Sequence, residues 1–413
     1  MGNDHKRLIS TLKNTLEKNL GILRLFPTWV PRTFTVPGGR LKLNPKDLYA
    51  FRKNRGGICE RWLASTTKAD NGPETTDFEG LSYISLDNIN NSKVLLKEAI
   101  ELIGDIILGV DIMSKYKGWK VLAKFFDNKG PLPHHVHLDD EHAAKVGALG
   151  KPEAYYFPNQ LNLTEGDFPY TFFGLRPGTT KEDVLKCLED FNNGDNGILE
   201  LSQAYKIVPG TSWLIPAGLL HAPGSLVTYE PQRASDVLSM FQSVVQGTQI
   251  PRDLLVKDVP KDLWNNLDYL ISLLDWEANV DPSLAKNRML KIIPVKPKKD
   301  MISDGYIENW ITYGSSYFSA KELTVLPGRT VNIKDEEAYG AILLQGHGKI
   351  NNLEVETPVL IRFGELTNDE VFVSIQAAKE GVKVVNSSDR DCLVMLKHFG
   401  PGNSQSPKNI NNR

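Results

Sequence analysis

The first apolar signal along the chain has a period of four. Leu8, Leu12, Leu16 and Leu20 recur at helical spacing, which predicts an amphipathic helix over residues 1–20 packed against the body of the protein. From 25 to 90 the apolar runs shorten and are broken by Gly and Pro, as at Val36-Pro37-Gly38-Gly39-Arg40, and short strands with tight turns are expected. Val94, Leu95, Leu96, Ala99, Ile100, Leu102 and Ile103 then form a broad apolar face, which predicts helix over 92–116. Strands are expected from about 118 to 247. They are interrupted by a helix at Thr180–Phe191, whose opening Thr179-Thr180-Lys181-Glu182-Asp183 carries cap and first-turn acid signals. Helical periodicity returns over 251–280, and the Lys/Pro stretch from Ile292 to Asp300 reads as a linker. Residues 305–399 form a second all-β pattern, with strands at 323–326, 339–344 and 371–375 and a hairpin turn at Gly346-His347-Gly348. The Asn/Ser/Pro/Gly-rich tail from Gly400 to Arg413 is expected to be disordered. No short repeat is evident; the two β units read as a diverged duplication.

Composition bounds the function without naming it. At 413 residues the chain has room for two or three domains, and 41% hydrophobic with 24% charged residues is the balance of a soluble protein. A formal charge of −2 supplies no field to attract nucleic acid or an anionic membrane. Cys59, Cys187 and Cys392 form no CxxC pair and suggest a reducing compartment. The N-terminal segment has no signal-peptide core, and no run is apolar for the ~18 residues of a membrane span. A cytoplasmic protein is expected.

The chemistry concentrates in Pro133-His134-His135-Val136-His137-Leu138-Asp139-Asp140-Glu141-His142, which holds four of the eight histidines. On a strand His135 and His137 share a face, with His134 and Val136 on the other. Two imidazoles on one face make half of a metal site, which a carboxylate and a third imidazole would complete. A second segment, Gly210, Pro216, Gly218 and His221, has cupin spacing, in which a Pro/Gly turn projects the following histidine into the barrel; Ser225 stands where that pattern has Asn. The carboxylate has two candidates. Glu141 lies four residues after His137, the germin-like spacing, and Glu153 opens the aromatic run Ala154-Tyr155-Tyr156. His134 and His142 are placed outside the metal shell, and His5, His347 and His398 are read as surface or loop residues.

The run Val121–Asp127, then His135-Val136-His137-Leu138-Asp139-Asp140-Glu141, then Gly150-Lys151-Pro152-Glu153, resembles the type I phosphomannose isomerases of the cupin superfamily. Cys59-Glu60-Arg61-Trp62, Asn71-Gly72-Pro73, Phe173–Pro177, Glu230-Pro231-Gln232 and Ser235-Asp236 match further family elements in order, from about residue 55 to 245. The resemblance implies a mainly β fold of two cupin-type jelly-roll barrels with an added helical segment. The expected layout is a catalytic barrel over 1–250 with its helical insertion at about 92–116, a helical segment and linker over 251–300, a metal-free barrel over 301–400 and a flexible tail over 401–413.

It also implies one divalent metal, zinc foremost with Mn, Fe, Co or Ni as alternatives, on His135, His137, Glu153 and His221. The reaction implied is aldose–ketose isomerisation of a sugar or sugar phosphate through a cis-enediol(ate), with Lys151, Glu230, Lys124 and Asp236 lining the pocket. Two positions depart from the family. His135 replaces a Gln, and Met240 stands where the family has an arginine, so a related sugar fits better than mannose 6-phosphate itself. No phosphate loop is readable; Lys53, Arg55, Arg61, Lys68 and Arg233 are the basic residues that could meet a phosphate. A small carbohydrate is the expected partner, with no nucleic acid and no membrane. An Fe/Mn dioxygenase or decarboxylase, favoured by three histidines and by Glu141, and a non-catalytic sugar binder, favoured by Met240, are the competing readings.

Overall fold

The computed structural model describes residues 3–87, 92–163 and 168–408. Its β structure is organised around two seven-stranded sheets. The first runs Met289–Leu290, Ser212–Ile215, Glu153–Tyr156, Thr228–Arg233, Val121–Phe126, Gly57–Leu63, Thr28–Arg32. Facing it is a five-stranded sheet in the order Ser202–Lys206, Tyr170–Leu175, His221–Ala222, His135–Val136, Ser239–Met240. The second seven-stranded sheet runs Ile22–Arg24, Glu370–Val373, Tyr339–Gln345, Leu393–Phe399, Ser319–Val325, Tyr306–Thr312, Ile293–Pro294. A four-stranded sheet of Thr330–Ile333, Val382–Asn386, His347–Ile350 and Leu353–Glu356 accompanies it. The protein is thus mainly β, with two units of paired sheets.

The strand Val121–Phe126 shows why this architecture needs its sequence. All six of its residues are buried, because each face has something to cover. Ala123 and Phe125 pack outward with Tyr229, Ile311, Ile342 and Leu396, an apolar layer shared by the two seven-stranded sheets. Leu122 turns inward to Trp62 and Val30, and Phe126 to Tyr155 and Phe173. Lys124 shares that inward face, a cation aimed into the interior of the first unit. Arg61, on the outward face of its strand, crosses to the second unit and pairs with Asp369 at 2.8 Å and Glu370 at 3.0 Å.

The two large sheets repeat a pattern in register. Trp62 of Glu60-Arg61-Trp62 lies opposite Lys124, which lies opposite Glu230. Trp310 of Glu308-Asn309-Trp310 lies opposite Lys321, which lies opposite Lys397. In the second unit Asp335 sits between the two ammonium groups, 2.6 Å from Lys321 and 2.7 Å from Lys397.

Several elements differ from the sequence reading. The first helix spans Asn3–Lys18 and buries Leu12 and Leu16, whereas Leu20 lies beyond its end and is exposed. The expected helix over 92–116 is a strand, Lys93–Leu95, and two helices, Leu96–Ile107 and Val110–Tyr116, separated at Gly109 with φ 96°. The stretch read as a linker is structured: Ile293–Pro294 pairs with Trp310 and Asn309, and Lys298–Asp304 is helical, stopped by Gly305 at φ 93°. Gly346 turns a corner between two sheets; the hairpin lies further on, between His347–Ile350 and Leu353–Glu356. The tail is held to the body at a few points, with Gly314 N–H donating to Pro407 O at 3.1 Å, and residues 409–413 lie outside the described residues. The helix expected from Thr180 is present, with Thr180 and Asp183 forming a reciprocal cap. Among the described residues no helix is long and apolar enough to cross a membrane.

Candidate metal centre

Three histidines converge between the facing sheets of the first unit. His135 and His221 are cross-strand partners in the five-stranded sheet, and His137 follows one strand pleat later. A ring nitrogen of each lies within 4.8 Å of the others. Each ring is fixed by its own backbone contact. His135 Nδ1 meets Pro133 O at 2.7 Å, His137 Nδ1 meets Val237 O at 2.8 Å and His221 Nδ1 meets Leu219 O at 2.7 Å. A carbonyl can only accept, so Nδ1 carries the proton in all three rings and each Nε2 keeps its lone pair. Three imidazole lone pairs, oriented by backbone carbonyls, are a donor set for a divalent cation.

Glu153 closes the set from the seven-stranded sheet. Its carboxylate lies 3.0 Å from His137 Nε2 and 3.0 Å from His221 Nε2, and it is fully buried. Lys151 bridges Glu153 and His137, but a carboxylate facing the neutral His221 lone pair is repulsive unless a cation lies between them. Among the described residues Glu153 Oε1 and His221 Nε2 have no hydrogen-bond partner, as befits atoms that hold an ion. The residues present therefore fit a divalent metal. Burial, and then the charge of neighbouring histidines or of Lys151, depress the imidazoles: His137 to about 3, His135 well below the usual histidine range. Burial raises Glu153, but Lys151 and His137 outweigh it and hold the carboxyl well below its ordinary value. The neutral imidazole and ionised carboxylate forms are the ones that bind metal.

A row of buried charges of alternating sign leads away from this centre. Lys151 Nζ lies 2.8 Å from Glu153 and 3.4 Å from Glu230, and donates to His137 Nε2 at 2.7 Å. Lys124 Nζ lies 3.2 Å from Glu230 and 3.6 Å from Glu60. Glu60 accepts from Arg32 Nε at 2.8 Å and from Trp62 Nε1 at 2.7 Å, and Arg32 pairs with Asp236 at 3.0 Å. Glu230 feels its burial and the charge of Glu153 more than its two lysines, and its carboxyl is pushed up to about 8. Asp236 is held below the carboxylate range because Arg32 and Lys257 outweigh its burial.

Lys151, Glu230 and Lys124 are thus brought together beside the imidazoles, and Asp236 stands at the far end of the row, reached through Glu60 and Arg32. Glu141 lies on the short helix Asp140–Ala144, capped by Asp139, and its exposed carboxylate reaches Lys145 at 3.7 Å. His134 points away from the other three against Phe172, and His142 bonds Asp139 and Ser272. His5 and His347 are exposed, but His398, read as a surface or loop residue, is fully buried between Trp119 and Tyr229. Met240 is buried and sits across the sheet from His135. Sequence reading missed Arg32 and the linking role of Glu60. The Glu-x-Trp spacing that recurs at Glu308 was available as a signal for Glu60; nothing local marks Arg32.

No protein-family model matches the chain, and no curated protein matches it in sequence. Solved structures do. The architecture is a two-unit cupin fold. More narrowly, it is the fold of the phosphomannose isomerases, shared at 12–17% identity. The mannose 6-phosphate isomerase from Bacillus subtilis is 17% identical with a TM-score of 0.59, and the match covers 92% of this chain and 100% of that one. A variant of the phosphomannose isomerase from Salmonella typhimurium is 12% identical with a TM-score of 0.58 over the same shares. A mannose 6-phosphate isomerase bound with zinc and yttrium is 12% identical with a TM-score of 0.59, again over 92% and 100%.

Proposed function

We propose that this protein is a metal-dependent aldose–ketose isomerase. The observation that carries the reading is the juxtaposition of three oriented imidazoles and Glu153 with the buried row Lys151, Glu230, Lys124. His135, His137, Glu153 and His221 would hold the cation, zinc foremost; a mannose 6-phosphate isomerase of the same fold is bound with zinc and yttrium. When bound, the metal would polarise the substrate's carbonyl or hydroxyl oxygen.

The remaining work falls to the protein's own groups. Isomerisation removes a proton from C2 of the aldose and returns one at C1 through a cis-enediol(ate). Glu230, with its carboxyl pushed up to about 8, can take and return a proton near neutral pH. Lys151 and Lys124 flank it and stabilise negative charge as it develops on the sugar oxygens. Asp236 acts at one remove, by holding Arg32 against Glu60 and so fixing Lys124. The three cysteines are unpaired, which fits a cytoplasmic enzyme of carbohydrate metabolism.

The test is solvent deuterium exchange by proton NMR, with the protein loaded in turn with Zn, Mn, Co or Fe and offered a panel of aldoses and ketoses, free and phosphorylated. Deuterium at C2 of an aldose, abolished by His221→Ala, is the expected result. Metal binding without exchange across the panel would overturn the isomerase reading. It would favour the oxidative cupin chemistry that a three-imidazole donor set also suits.

A further inference from the structure

We infer that the sugar handled by this site is uncharged: a free aldose or ketose, not a sugar phosphate. The inference rests on the isomerase reading for the location of the substrate, and it adds the substrate class.

The argument is one of charge pairing. The buried row holds three cations, Arg32, Lys124 and Lys151, against four acidic side chains, Glu60, Glu153, Glu230 and Asp236. Arg32 spends its guanidinium on Glu60, Asp236 and Asn71, leaving no face for a ligand. Lys257, beside Asp236, is already shared by Asp70 at 3.0 Å and Asp258 at 3.4 Å. A divalent metal adds positive charge, but it does so at Glu153, where its ligands and the reacting oxygens take it up. A phosphate dianion would enter a site where Arg32, Lys124 and Lys257 already face carboxylates that are not metal ligands, and an uncompensated buried charge is costly.

Four of the five basic residues singled out in the sequence are paired as well. Arg55 donates to both oxygens of Glu79, Arg61 is held by Asp369 and Glu370, Lys68 pairs with Asp77, and Arg233 pairs with Asp140 while stacking on Tyr317 at 4.3 Å. Lys53 is exposed on a turn whose neighbours Asn54 and Arg55 are bonded to Glu74. Met240, across from His135, contributes a thioether and no charge. Alternating carboxylates and ammonium groups suit the hydroxyls of a neutral sugar, which donate to the first and accept from the second.

The experiment compares D-mannose and D-fructose with their 6-phosphates on the metal-loaded protein. Exchange is read by NMR. Binding of the unreactive probes D-mannitol and inorganic phosphate is read by calorimetry. The expected result is kcat/KM higher for the free sugars by about tenfold or more, with mannitol bound and phosphate not. Met240→Arg, checked for folding by circular dichroism, should shift preference toward the 6-phosphates; Met240→Lys serves if the arginine variant does not fold. A preference of the unaltered protein for the 6-phosphates, or tighter binding of phosphate than of mannitol, would overturn the inference and leave the isomerase reading standing. Exchange with no sugar would sink that reading instead, and calorimetry would still decide the ligand class. Failure of mannitol to bind would overturn the inference.

Discussion

His221 stands directly across the sheet from His135, with ring centroids 4.3 Å apart, and both rings are fixed by the same device, Nδ1 donating to the carbonyl two residues upstream. The lone pairs are therefore aimed before any ion arrives, and removing one ligand should not be rescued by rearrangement of the others. His221→Ala should lower divalent-metal affinity by at least about tenfold, measured by competition with a chromogenic chelator. His142→Ala, on a ring bonded to Asp139 and Ser272, should leave affinity unchanged. Equal loss in both variants would mean that the three-histidine convergence does not define the site.

Arg32 carries two carboxylates on one guanidinium, and Glu60 in turn orients Lys124 and Trp62. Truncating one partner of a buried ion network leaves the other charges unpaired, which costs about 3–5 kcal/mol. Arg32→Met should lower the urea midpoint accordingly. It should also reduce kcat more than it raises KM, because Lys124 loses its support and the substrate loses no direct contact. A variant within about 0.5 kcal/mol of the unaltered protein would show that the row is not coupled in this way.

Much of this site was legible because its residues fall into short local patterns. His-x-His on a strand and Pro-x-Gly-x-x-His at a turn each predict an orientation from local geometry, and Gly150-Lys151-Pro152-Glu153 lies one strand further on. What was not legible depends on long-range pairing. Glu141 and Glu153 are both plausible by spacing, and only the capped helix at Asp140–Ala144, which turns Glu141 outward, separates them spatially. Arg32 becomes part of the row because its strand pairs with Gly57–Leu63, and nothing in Thr28–Arg32 announces a partner. The exchange of edges between the units was equally silent: Ile22–Arg24 pairs with Val371–Val373, far along the chain. Lys/Pro content suggested a linker at 292–300, yet a two-residue edge strand and a helix begun after Pro297 accommodate both prolines without losing a hydrogen bond.

The contact between the two units should respond to pH. Glu370 receives Ala64 N–H and faces Arg61, but its burial outweighs Arg61 and pushes its carboxyl up to about 7. A carboxyl raised above its unfolded value keeps its proton in the folded state where the unfolded chain has lost it. Its contribution to stability is therefore complete below the unfolded value of about 4.3 and is lost as pH rises through about 7. The magnitude is at most on the order of 4 kcal/mol. Urea midpoints across that window should fall with rising pH by less in Glu370→Gln than in the unaltered protein. An identical slope in both would assign the pH response elsewhere.

Gly340, on a central strand of the second unit, lies against Ala64 of the first. A Cβ there would lie 2.3 Å from His398 Nε2 and 2.8 Å from Ala64 Cβ. His398 cannot swing out, because it is fully buried on the strand Leu393–Phe399, directly opposite Gly340 and between Trp119 and Tyr229. Gly340→Ala should therefore cost about 1–3 kcal/mol by overpacking, measured by urea unfolding. The ring is the nearer obstacle, so His398→Ala should cost less in the Gly340→Ala background than in the unaltered protein, and the difference is the coupling between the two positions. Recovery should be incomplete, since Ala64 Cβ still stands in the way. Strictly additive costs would mean that the strand moves bodily, and that the glycine is not what sets the spacing of the two sheets.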